Sequence, residues 1–288
     1  MQCRLNFKPI ICVTIVLISL FSGKGYCQSD FEKTVKMQFD SLLAPGNPDI
    51  PGRLLLPNDA PQTISVPSGW GGYGAYLFGG IAGVYPQAYQ TKADLIASGG
   101  ACYGDPFKAV NVAASINLTD VHRFRDFSGN ITVSRVIFGG NSISAGGLQL
   151  LASKQQSDSP QPTFFFAFSH AVQSLLSSTP GTSKLTYTIG MGNGRFYLKS
   201  PADIAAGRKD NGTAVFASVA YEILPHINAI AEWSGVNLGL SAGIRPFKNP
   251  LSLGLGVYNI TRFSSDKPSA IFTLGYPLSL NRKTTSSN

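Results

Sequence analysis

The stretch Ile227-Asn228-Ala229-Ile230-Ala231-Glu232-Trp233-Ser234-Gly235-Val236-Asn237-Leu238-Gly239-Leu240-Ser241-Ala242-Gly243-Ile244-Arg245 decides the fold. In its first half Ile227, Ala229, Ala231 and Trp233 alternate with Asn228 and Glu232, and Ile230 is the one apolar residue out of phase. After Ser234-Gly235 the pattern resumes, with Val236, Leu238, Leu240, Ala242 and Ile244 on one face and Asn237, Gly239, Ser241, Gly243 and Arg245 on the other. Successive side chains of a strand point to opposite faces, so a period of two marks each half as a strand. A Ser-Gly pair between two such runs reads as a tight hairpin turn.

Working outward, the same period predicts twelve strands, at 70–82, 93–103, 109–119, 129–138, 142–152, 163–172, 184–192, 213–223, 226–233, 236–245, 251–259 and 269–278. Leu251, Leu253, Leu255 and Val257 alternate with Ser252, Gly254, Gly256 and Tyr258, and Val110, Val112, Ala114 and Ile116 with Asn111, Ala113, Ser115 and Asn117. Each clean strand has one greasy face and one small polar face. Most are about the 9–11 residues that cross a bilayer as a tilted strand. Arg135 is an exception, in phase with the apolar residues Ile131, Val133 and Ile137, which asks for a bulge or a place near a membrane interface.

The connections alternate in length. The longer set is 83–92, 120–128, 153–162, 193–212 and 260–268, and the shorter is 104–108, 139–141, 224–225 and 246–250. Two break the rule: 173–183 is too long and Ser234-Gly235 too short. Outer-membrane barrels have short turns on the periplasmic side and longer loops outside, and an even strand number puts both ends of the chain on the periplasmic side. The competing architecture is a secreted soluble β-sandwich, whose water-facing side would carry Lys, Glu, Thr and Arg. Here that face is Gly, Ser, Asn and Ala, and charge collects in the connections. Charged residues make up only 13% of the chain, about half the usual share of about 25%. The expected fold is therefore an all-β, antiparallel transmembrane barrel of about 12 strands, with a short N-terminal helix and a Pro-rich segment.

The ends of the chain supply an address. Arg4 and Lys8 precede the apolar run Ile10 to Phe21, and Gly25 and Cys27 stand at the −3 and −1 positions of a cut before Gln28, the pattern of a secretory signal over 1–27. Residues 28–69 are expected to be periplasmic. They comprise an amphipathic helix opening on the capping pair Ser29 and Glu32, then a linker with six prolines, 45, 48, 51, 57, 61 and 67. The barrel takes 70–280 and a polar tail 281–288. Losing Arg4, Lys8 and Lys24 reduces the 23 basic residues to 20 against 15 acids, so the net charge falls from +8 to +5. That excess is scattered and excludes a nucleic-acid partner. Only Cys102 of the four cysteines follows the cut, so no intramolecular disulfide is expected.

A resemblance enters on particular runs: Gly104-Asp105-Pro106, Met191-Gly192-Asn193-Gly194-Arg195-Phe196, Ala231 to Ser241, and Arg245-Pro246-Phe247. Over roughly 70–280 they resemble an uncharacterised family of bacterial outer-membrane β-barrel proteins. The hairpin from Glu232 to Arg245 is more distantly similar to the barrel repeats of proteins associated with exopolysaccharide secretion. The resemblance implies architecture and an outer-membrane location, with outer-membrane lipid and the barrel-insertion machinery as partners. It brings no substrate and no catalytic residue.

Catalytic arrangements look poor. Ser169 and His170 are sequence neighbours on a strand and face opposite ways, and Asp120 and His122 form at most a loop pair. No cofactor, metal or catalytic residue is expected, and the chain reads as not an enzyme. Six residues fall in phase with the small polar face or at its rims and are expected to line the lumen: Glu222, Glu232, Arg245, Asn237, Lys184 and Tyr258. Arg195, Lys199, Arg208 and Lys209 are expected in the longest outer loop. Charges inside a barrel set ion selectivity or brace the wall. The functional expectation is a narrow passive pore for small polar solutes. The alternative is a non-conducting surface or envelope-assembly barrel that binds a partner or glycan through its loops.

Overall fold

The computed structural model describes residues 54–86, 94–121, 124–152, 162–199, 207, 211–247, 249–263 and 267–280. The signal segment, the N-terminal helix, Arg208, Lys209, His122 and the C-terminal tail lie outside the described residues.

Twelve antiparallel strands close into a barrel among the described residues. They are β1 Tyr76–Tyr85, β2 Asp94–Gly104, β3 Asn111–Asp120, β4 Arg125–Val136, β5 Asn141–Leu150, β6 Thr163–Ala171, β7 Leu185–Gly192, β8 Val215–Leu224, β9 Ile227–Trp233, β10 Leu238–Ile244, β11 Ser252–Tyr258 and β12 Ser269–Ser279. Every strand pairs with its sequence neighbours, and β12 closes on β1 with Tyr76 opposite Ser279. Closure leaves no unpaired edge, the condition for a sheet to sit in hydrocarbon. Both ends of the barrel chain are at one rim, called here the terminal rim.

The outward face is apolar: Leu77, Ile81, Ile116, Val133, Phe164, Phe166, Ile189, Met191, Val219, Leu240, Leu255, Phe272 and Leu274 are all exposed. The inward face holds Ser142, Ser144, Ser169, Thr186, Thr188, Ser218, Asn228 and Glu232, all buried. A greasy exterior around a small, polar interior is what a lipid-facing wall requires.

Arg135 is exposed and in phase with Val133, one residue before the end of β4 at the terminal rim. The register of β4 against β5 does shift, but between Gly129 and Ile131, too far along the strand to turn Arg135 inward. Of the two explanations that the sequence left open, position near the rim is the one that applies.

The first strand begins at Tyr76, six residues later than expected. The reason is that residues 54–75 do something else. The sequence reading gave 28–69 to a periplasmic segment, but residues 55–69 bond to inward side chains of β5, β6, β8 and β9 and so run inside the barrel.

Candidate functional site

Residues 54–75 form an internal strap. At the terminal rim, Leu55 N–H donates to Gln173 Oε1 at 2.9 Å, and Gln173 Nε2 returns a bond to Leu55 O at 3.0 Å. Leu56 and Pro57 pair in parallel with Thr182 and Ser183, giving the overlong connection 173–183 a purpose as a dock for the strap. Asn58 and Asn228 exchange side-chain amide bonds at 2.9 Å, and Asp59 meets His226 Nδ1 at 2.9 Å and Arg245 Nη1 at 3.4 Å. Deeper in, the Thr186 hydroxyl bonds to Gln62 Oε1, and the Ser218 hydroxyl donates to Gln62 O at 3.1 Å.

The strap turns where it meets Glu232. That carboxylate accepts from Ile64 N–H at 2.8 Å, Ser65 N–H at 3.1 and 3.2 Å, the Ser65 hydroxyl at 3.1 Å, Val66 N–H at 3.4 Å and the Tyr258 hydroxyl at 2.9 Å. Beside it Val66 packs into a cluster with Phe165, Phe196 and Phe216, and the last two rings stand 4.4 Å apart. The chain then returns toward the terminal rim along β5 and β6. Gly69 N–H donates to Ser169 Oγ at 2.8 Å, Ser142 Oγ donates to Gly69 O at 2.7 Å, and Ser144 Oγ to Ser68 O at 2.8 Å. Gly74 and Gly104 exchange backbone bonds just before β1 begins. An irregular strand inside a barrel must have its backbone groups satisfied by the wall, and here the inward Ser, Thr, Asn and Glu residues do so.

The expected lumen residues divide by role. Glu232 and Tyr258 face inward and hold the strap. Glu222 is buried and accepts from Ser178 Oγ at 2.6 Å, Ser178 N–H at 3.1 Å and His226 N–H at 3.4 Å, so it pins the rim connection on which the strap docks. Arg245 lies at that rim beside Asp59 and donates from Nε to Asn249 O at 3.3 Å. Asn237 is buried at the far mouth and accepts from Phe263 N–H at 2.7 Å and from Thr261 Oγ1 at 3.2 Å. Lys184 Nζ stands 5.1 Å from the centre of the Tyr221 ring, which belongs to the outward face.

Of the loop residues, Arg195 lines the far mouth of the lumen. Lys199 is folded in: only 7% exposed, it donates to Phe263 O at 3.2 Å and lies 4.6 Å from the Phe263 ring centre. Gly194–Phe196 forms a single 3-10 turn that drops Phe196 into the cluster. Room for this inward fold comes from the short turn after β9, where Gly235 (φ +92) abuts the Phe196 carbonyl at a spot no Cβ could occupy. Sequence reasoning missed the strap residues Ile64, Ser65 and Val66. The signals available were the inward apolar residues Ile230 and Leu148, which break the polar face.

A rim prediction follows from Glu222. Glu222→Ala removes one acceptor from three donors, each worth about 1–3 kcal/mol when left buried and unpaired. The expected result is a lower urea midpoint in detergent and faster proteolysis within 172–184, with the barrel otherwise intact.

The strap does not fill the lumen. Along the wall from β11 through β12 and β1 to β6 lie two chambers, of about 490 and 400 Å³. The first is toward the terminal rim, lined by Trp70, Tyr76, Phe78, Asn111, Thr132 and Ser134. The second opens toward the far mouth, among Asp94, Asn117, Asn130, Arg195, Tyr258 and Asn259. Ile64, Ser65 and Leu148 line both.

No family model matches this sequence, and neither does any curated protein. The distant likeness to exopolysaccharide-secretion barrels therefore gains no support from sequence. Solved structures do match. An active-site mutant of outer membrane phospholipase A from Escherichia coli is 10% identical, covers 72% of this chain and 90% of its own, and has a TM-score of 0.38. Another structure of that Escherichia coli protein is 8% identical over 72% of this chain and 97% of its own, with a TM-score of 0.37. The Salmonella typhi outer membrane phospholipase, a dimer with bound calcium, is 8% identical over 72% and 90%, with a TM-score of 0.36. At such identities the likeness concerns the barrel fold alone and carries no residue across. It does correct one expectation. The sequence reading took the chain not to be an enzyme, but these similar barrels are phospholipases by name, so that exclusion is withdrawn.

Proposed function

We propose that the protein is a narrow outer-membrane pore for small polar solutes, whose bore is set by its own N-terminal strap. The observation that carries this reading is the pair of chambers, one toward each rim, that the strap leaves open inside the barrel while its own backbone is held by β5, β6, β8 and β9. Each chamber is within the roughly 300–1,000 Å³ of small-molecule sites. A structural plug with no conducting role would gain by packing against the whole wall, since empty lumen forfeits contacts.

On this reading residues 1–27 direct export and are removed, and the insertion machinery places the barrel in outer-membrane lipid. The terminal rim faces the periplasm and the far mouth faces outward. The test is osmotic swelling of liposomes holding the full mature chain. Swelling should be measurable with glycerol and fall steeply as the solute grows to a disaccharide. Liposomes that stay tight to every solute would remove the pore and leave the non-conducting surface barrel.

A further inference from the structure

We propose that Ile64 and Leu148 form an apolar neck that passes small uncharged polyhydroxylated solutes and holds back ions. This rests on the pore reading and names its substrate class. Among the described residues three line both chambers, so the boundary between the chambers runs through Ile64, Ser65 and Leu148, and two of the three are aliphatic. Both aliphatic side chains are braced. The Ile64 N–H is tied to Glu232, and its side chain rests over the bare backbone of Gly254, while Leu148 packs on the cluster of Phe165, Phe196 and Phe216.

Among the described residues the chamber toward the terminal rim has no Asp, Glu, Lys, Arg or His in its lining. It presents Ser65, Ser68, Asn111, Thr132 and Ser134 together with the rings of Trp70, Tyr76 and Phe78. An ion entering would leave bulk water for a space with no countercharge, after passing a constriction that sheds water readily. A neutral polyol meets the opposite conditions. Its hydroxyls find hydroxyl and amide partners, and its carbon skeleton finds aromatic faces. Glu232 lines neither chamber and is committed to the strap.

Two measurements on one preparation test the neck: glycerol-driven swelling of liposomes and potassium chloride conductance in planar bilayers. The wild type should swell in glycerol and show little stable conductance. Ile64→Ser and Leu148→Ser, which wet the neck, should each raise conductance about tenfold or more with a much smaller change in swelling. Leu148→Ile keeps the neck apolar and should keep ions out. Heat-modifiable gel mobility confirms that each variant is folded. Wild-type conductance typical of a water-filled pore, or serine variants that swell in glycerol yet conduct no better than wild type, overturns the neck and leaves the pore standing. Tight wild-type liposomes remove the pore and the neck together.

Discussion

Glu232→Ala should turn a narrow pore into a wide one. The Glu232 carboxylate is 1% exposed and is the acceptor for three successive backbone N–H groups of the strap, Ile64, Ser65 and Val66, as well as the Ser65 hydroxyl. No other acceptor is recorded for those three N–H groups among the described residues. Bonds to an ionised acceptor are shorter and roughly twice as strong as neutral ones, and each buried donor left without a partner costs about 1–3 kcal/mol. Loss of the carboxylate therefore sets several kcal/mol against the turn of the strap, held otherwise by Val66 in its aromatic cluster and by serine bonds on the return limb. The barrel has no such dependence, because its ladder is closed without the strap. The expected result is a larger and noisier conductance and passage of disaccharides that the wild type excludes. Glu232→Gln keeps one acceptor oxygen and should fall between. A second readout follows the strap directly: a cysteine placed at Ser65 should react with a thiol reagent in the alanine variant and be protected beside native Glu232. Unchanged permeability together with unchanged protection would refute the strap as the element that sets the bore.

The wall of this protein was legible in its sequence and the strap was not. Strands such as β8 and β9 announce themselves because burial on one side and lipid on the other impose a period of two on consecutive residues. All twelve expected segments overlap an observed strand, and the two connections that broke the length rule prove to be a dock for the strap and a gap for an inward fold. The strap obeys no period. Its bonds reach residues more than a hundred positions away, from Ser68 to Ser169 and from Ile64 to Glu232, so nothing local marks which prolines and serines belong inside. Glu232 shows the limit well. Its inward placement could be read from phase, but its function as an anchor depends on a partner that only the folded chain brings to it. Ile230 was visible as a break in the polar face, and the structure supplies the cause: its Cδ1 stands beside the same spot above Gly243 that the Pro61 carbonyl occupies.

The inward glycines complete that account and give the second large effect. Gly243 and Gly254 are cross-strand partners on β10 and β11, and the strap lies directly on them. A Cβ at Gly243 would be 2.5 Å from the Pro61 carbonyl oxygen and 2.9 Å from Pro61 Cβ. One at Gly254 would be 2.5 Å from Ile64 Cδ1. A backbone carbonyl cannot rotate out of the way as a side chain can, so Gly243→Val forces the strap itself to move, at a cost of about 1–3 kcal/mol or more for overpacking. The wall should not suffer, since valine is a better strand residue than glycine. The consequence runs against simple pore geometry: adding bulk to the lumen should raise permeability, because it displaces far more material than it adds. Gly79→Val is the control. It faces outward, where the nearest neighbour of a new Cβ is the Ser98 carbonyl at 3.7 Å, and it should leave permeability unchanged. If Gly243→Val instead lowers permeability with the strap still protected, the strap yields too little to act as a movable constriction, and the bore belongs to the wall.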